Sequence, residues 1–188
     1  MFAAFLLSFA VIFVAELGDK SQLMALAFAT RYPPLTVLTG IGVATAIVHA
    51  LSVGLGAALG AALPTRAISA VAAVAFLAFG VWTLRGDRLS EEEQKRAVRP
   101  ARYAVLSVGA VFFLAELGDK TMLATVTLAA DHGWFGTWLG STLGMVAADA
   151  LAIVVGRVLG ARLPGRAIRI GAALAFFAFG AVMLVEAL

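Results

Sequence analysis

A chain of 188 residues that is 62% hydrophobic and 13% charged, with a mean hydropathy of +1.00, is too apolar for a soluble globular domain. Cysteine is absent, which excludes disulfides, thiolate metal sites and cysteine nucleophiles and leaves oxygen and imidazole as metal ligands. The net charge of +3 comes with no groove-reading or base-stacking motif, so it is read as membrane topology and lipid attraction and not as nucleic-acid binding.

One helical crossing of a hydrocarbon core roughly 30 Å thick needs about 17–25 apolar residues. Six such stretches follow one another, at about 2–29, 35–60, 67–84, 103–130, 134–160 and 167–187. The alternating polarity of a transmembrane barrel is missing, and the reading is an all-α integral membrane protein of six transmembrane helices. The first stretch begins almost at Met1 with no basic n-region and no small-residue cleavage site before Glu16, so it is expected to remain as helix 1. Between the third and fourth stretches lies the charged segment 85–102, a solvated connector in which Ser90 and Glu93 have capping-box spacing for a short surface helix.

Short cytoplasmic loops carry the excess of Lys and Arg. Arg31, the linker residues Arg85, Arg88, Lys95, Arg96, Arg99 and Arg102, and Arg157, Arg162, Arg166 and Arg169 fall on one face, against Arg66 on the other. This distribution predicts both termini outside and the 85–102 linker in the cytoplasm.

The two halves share a template. Glu16-Leu17-Gly18-Asp19-Lys20-Ser21 recurs 100 positions later as Glu116-Leu117-Gly118-Asp119-Lys120-Thr121. The same offset relates Leu63-Pro64 to Leu163-Pro164, Arg66-Ala67-Ile68 to Arg166-Ala167-Ile168, and Ala78-Phe79-Gly80 to Ala178-Phe179-Gly180. Residues 1–84 and 103–188 are therefore read as two three-helix repeats joined by the linker. With an odd number of helices, the second copy enters from the opposite side, giving inverted repeats of the kind that alternate access in secondary transporters.

A charged side chain at the bilayer centre costs roughly 2.5–3.5 kcal/mol even on the lenient insertion scale, and such residues usually line an ion pathway. On continuous helices, Glu16 and Asp19 are i,i+3 neighbours on one face, Lys20 pairs with Glu16 at i+4, and Gly18 faces a neighbouring helix at close approach. The same reading applies to Glu116, Asp119, Lys120 and Gly118. His49 and Asp149, again 100 apart, add matched polar positions near the centres of helices 2 and 5. Five carboxylates against two lysines leave an excess of negative charge that cations or protons must offset. Oxygen-rich ligation suits hard divalent ions such as Mn²⁺, Ca²⁺ or Mg²⁺, with imidazole tilting toward Mn²⁺. Ser21, Thr121, Gln22 and Met122 are further candidates to complete or bias the shell.

Blander readings stand beside these. The motifs could be ion-pair glue between helices, although apolar packing would do that without the insertion cost. His49 could simply hydrogen-bond across helices, Asp131 and His132 are expected to be solvated, and Phe76, Phe79, Phe176 and Phe179 are expected to pack.

Both hexapeptides match, at every position, the signature Glu-Φ-Gly-Asp-(Lys/Arg)-(Ser/Thr) of the first and fourth helices in the Gdt-type family of Ca²⁺/Mn²⁺:H⁺ antiporters, which the whole chain resembles. Ala27-x-x-Thr30-Arg31 and the short linker belong to the same resemblance. It implies that Glu16, Asp19, Glu116 and Asp119 are cation ligands. Bacterial members resemble manganese exporters, whereas eukaryotic relatives move Mn²⁺ and Ca²⁺ into secretory compartments, and the short termini here suit the expectation of a manganese exporter in a bacterial inner membrane. Prokaryotic relatives commonly carry Asn-His where this chain has Val48-His49.

The resulting expectation is a transporter, not an enzyme, with no permanently bound cofactor, that exchanges a divalent cation for protons at a midplane acidic site. A divalent-cation channel or uniporter without proton coupling is the alternative. An intramembrane aspartyl protease built on Asp19 and Asp119 is disfavoured, because each Asp follows Glu-Leu-Gly and precedes a Lys.

Overall fold

The computed structural model describes residues 1–85, 91–92, 103–159 and 165–188. The predicted Ser90–Glu93 cap, most of the linker and the repeat matches at 160–164 lie outside these residues. The described residues form eight helices of ten residues or more. They are α1 (Phe2–Glu16), α2 (Lys20–Ala29), α3 (Pro34–Ala62), α4 (Thr65–Arg85), α5 (Ala104–Glu116), α6 (Lys120–His132), α7 (Trp134–Leu159) and α8 (Gly165–Ala187). Pro34 opens α3 at a position where its missing N–H is not needed.

Helices α3, α4, α7 and α8 are each long and apolar enough to cross a bilayer, within a few residues of the predicted stretches. The expected continuous helices over 2–29 and 103–130 are corrected. The first breaks at Leu17-Gly18-Asp19, where α1 and α2 meet at 76° and together make a fifth candidate crossing. The second breaks at the matching Leu117-Gly118-Asp119. There α5 is a shorter apolar helix, and α6 carries Thr121, Thr125, Thr127, Asp131 and His132.

The cause of both breaks is local. Leu17 (φ −63°, ψ 116°) and Gly18 (φ 78°) have the angles of a type II turn, closed by the Asp19 N–H donating to the Glu16 carbonyl at 3.1 Å. Leu117 and Gly118 (φ 80°) repeat it, with the Asp119 N–H 3.2 Å from the Glu116 carbonyl. The left-handed φ is open to glycine and costs an L-residue roughly 1–2 kcal/mol.

The halves interlock. Helix α1 packs along α7 as α5 packs along α3, α3 meets α6 as α7 meets α2, and the pairs α3–α7 and α4–α8 are self-matched. Close approach of α1 to α7 depends on Gly136, Gly140 and Gly144: a Cβ on Gly140 would lie 2.3 Å from the Phe5 carbonyl oxygen, and one on Gly144 2.6 Å from that of Phe9. Two contacts join a residue to its own duplicate. The Thr45 hydroxyl donates to Met145 Sδ at 3.2 Å, and the rings of Phe76 and Phe176 lie 6.0 Å apart. Phe76, Phe79, Phe176 and Phe179 pack as expected, with Phe76 and Phe179 edge to face at 4.6 Å.

Candidate cation-binding site

Because each motif is a turn between two half-helices, its acidic residues occupy helix ends. Glu16 and Glu116 are the last residues of α1 and α5, and Asp19 and Asp119 are the N-caps of α2 and α6. An Asp at an N-terminus sits at the positive end of the helix dipole. The Asp19 carboxylate accepts a long bond, 3.4 Å, from the Ser21 N–H. Half-helix ends at membrane depth are also where secondary transporters gather backbone dipoles around their ions. The predicted shared face of one helix is therefore replaced by a turn. At Gly118 the predicted close helix approach is absent too, since among the described residues nothing lies within 4 Å of the position its Cβ would take.

The two turns converge. Glu16, Glu116 and Asp119 are buried and offer carboxylate oxygens all within 4.8 Å of one another. Each Glu is oriented by the hydroxyl that follows it: Ser21 Oγ donates to Glu16 Oε2, and Thr121 Oγ1 donates to Glu116 Oε2 at 3.0 Å. The other oxygen, Oε1, of each Glu has no hydrogen-bond partner among the described residues. Gln22 and Met122 close the turns, accepting the Gly18 N–H at 2.8 Å and the Gly118 N–H at 3.2 Å respectively. Gln22 also donates to the Ala148 carbonyl at 2.9 Å, tying α2 to α7 beside Asp149.

An ion pair also joins the two motifs. Lys120, fully buried, crosses to the other half and forms an ion pair with Asp19 Oδ1. Lys20 is half-buried at the start of α2. Asp149 is buried within electrostatic reach of Glu16 and Glu116, with neither oxygen hydrogen-bonded among the described residues. Its duplicate His49 is buried on α3 but lies outside the 4.8 Å group. Asp131 and His132, expected to be solvated, are half-buried at the end of α6, 3.1 Å apart. Five buried carboxylates (Glu16, Asp19, Glu116, Asp119 and Asp149) thus gather around one fully buried lysine. Such a charge balance holds in a low-dielectric interior only with added cations or protons.

The sequence match decides the family. The description "Divalent cation/proton antiporter GDT1" covers residues 4–91 and 104–188. The chain belongs to the GDT1 family. It is thus a multi-pass membrane transporter of divalent cations and not an enzyme. A GDT1 relative from Vibrio cholerae serotype O1, named "Putative manganese exporter", is 34% identical over 161 residues, 84% of this chain and 78% of that protein. "GDT1-like protein sll0615" of Synechocystis is 30% identical over 97% of both chains. "Protein PAM71, chloroplastic" of Arabidopsis thaliana is 32% identical over 98% of this chain and 57% of that protein. No solved structure gives a significant match.

Proposed function

We propose that this GDT1 protein exports Mn²⁺ in exchange for protons, by alternating access at a site formed by Glu16, Asp19, Glu116 and Asp119. The observation that carries this reading is the convergence of Glu16, Glu116 and Asp119 oxygens within 4.8 Å, drawn from the same motif in both halves. An all-oxygen cluster suits a hard divalent ion, either Mn²⁺ or Ca²⁺. The name of the Vibrio relative favours Mn²⁺. With metal bound the carboxylates are ionised. When it leaves, some take up protons, because their mutual repulsion in a dry site is otherwise uncompensated. Cation and proton occupancy then exclude each other, which makes transport an exchange.

In this reading residues 1–84 and 103–188 are inverted three-helix repeats, and α5–α6 is the sixth crossing. Both termini lie outside the inner membrane and the 85–102 linker is cytoplasmic. His49 and Asp149 supply an additional proton or metal site, and Lys20 and Lys120 are charge partners. The purified protein in liposomes tests the coupling. With membrane potential clamped, an imposed pH gradient should drive Mn²⁺ toward the more acidic side, and Mn²⁺ affinity should fall as pH falls. Metal flux that ignores the gradient would rule out antiport and return a channel or uniporter.

A further inference from the structure

The two motif turns have the same backbone but different surroundings. A Cβ on Gly18 would meet Ile168 Cγ2 and Arg169 Cγ, both at 3.3 Å, so the start of α8 lies across the first turn. The duplicate segment, Ile68-Ser69 at the start of α4, does not lie across Gly118, where a Cβ would meet nothing within 4 Å among the described residues. Instead α4 packs against α6, and Ile68 is buried beside Leu123 and Val126. Accessibility follows the same split: Leu17 and Gly18 are half-buried, whereas Gly118 is exposed and Leu117 is 42% exposed.

Non-helical backbone at membrane depth is tolerated only where protein buries it or water reaches it. The first turn meets the former condition. At the second, Asp119 is buried but Leu117 and Gly118 are not, and the turn follows 13 residues of α5, about 20 Å of helix from the linker side. We propose that Leu117 and Gly118 floor a water-filled vestibule that opens toward the face opposite the linker and stops just short of the buried acidic cluster, while Ile168 and Arg169 plug the route on the linker side. In transport the halves exchange roles: α8 leaves Gly18, and Ile68-Ser69 closes over Gly118. This rests on the exchange mechanism proposed above for its second half only; the vestibule and plug stand on the static geometry.

The chain has no cysteine, so single cysteines at Leu17 and Leu117 can be labelled without background. In vesicles of known sidedness, a membrane-impermeant maleimide should label Leu117→Cys at least about tenfold faster than Leu17→Cys, and only from the face opposite the linker. Ile168→Ala, with Ile168→Val as the milder control for folding, should speed Leu17→Cys labelling from the linker side. Saturating Mn²⁺ with a reversed pH gradient should slow labelling at Leu117 and speed it at Leu17, and Ile68→Ala should blunt that slowing. Equal labelling of both positions, or reaction of Leu117→Cys with a lipid-soluble maleimide alone, would overturn the vestibule. Leu17→Cys labelling unchanged by Ile168→Ala would overturn the plug. Asymmetric labelling that persists with no Mn²⁺–proton exchange would sink the transport reading and leave the vestibule standing.

Discussion

Glu16 and Glu116 each present one oxygen held by a hydroxyl and one without a hydrogen-bond partner among the described residues. Replacing either carboxylate with the isosteric amide keeps the shape and the Ser21 or Thr121 bond but removes the negative ligand. Glu16→Gln and Glu116→Gln should therefore abolish Mn²⁺ flux while the protein still inserts; wild-type flux from both inserted variants would refute the site. Asp149→Asn, at the edge of the cluster, should weaken metal affinity by only about tenfold, the scale of a supporting group. The glycines allow a finer comparison. Gly118→Ala meets only the cost of a left-handed φ, roughly 1–2 kcal/mol, whereas Gly18→Ala adds contacts at 3.3 Å to Ile168 and Arg169. Thermal unfolding in detergent should find Gly18→Ala the less stable of the two, and equal losses would mean that α8 does not press on the first turn.

At the scale of helices, the small-residue seam on α7 sets where α1 ends. The Phe5 carbonyl lies where a Cβ on Gly140 would go, so Gly140→Ala should push α1 outward at a cost of about 1–3 kcal/mol. Because Glu16 closes α1, transport should fall with it. A variant of unchanged stability and flux would show that α1 is free to shift. The four unbroken crossings were legible in the sequence because each is one uninterrupted apolar run bounded by Pro, Gly or Arg. The breaks were not, because apolar character continues from Phe2 through Ala29 and hides the turn inside it. The signal was present in Glu-Leu-Gly-Asp, whose Gly stands where a type II turn needs a positive φ, but in an apolar run a lone Gly also reads as a packing residue. The acidic residues that converge in the structure could be named from the motif. The Lys120–Asp19 pair could not, since a residue spacing of 101 carries no local signal and the shorter Glu–Lys spacing competes with it.

For the molecule as a whole, the interlocked packing of each half on the other brings the two turns together, and the arginine distribution predicts how that unit is oriented in the bilayer. Cysteines placed at Glu92, in the linker, and at His132, at the end of α6, should react with impermeant reagents from opposite faces, Glu92 from the cytoplasm. Reaction of both from one side would break the inverted arrangement.

The bond from the Thr45 hydroxyl to Met145 sulfur has a further consequence. Two separate, identical three-helix chains assembled about a twofold axis could bring this position only against itself, threonine on threonine or methionine on methionine. Joining the copies in one polypeptide lifts that restriction, so donor and acceptor can be allotted to different partners. The same freedom lets position 49 hold an imidazole while position 149 holds a carboxylate, and position 69 a serine while position 169 holds an arginine. A fused ancestor can thus give its two membrane faces different chemistry while keeping a common backbone, an option closed to any symmetric homodimer.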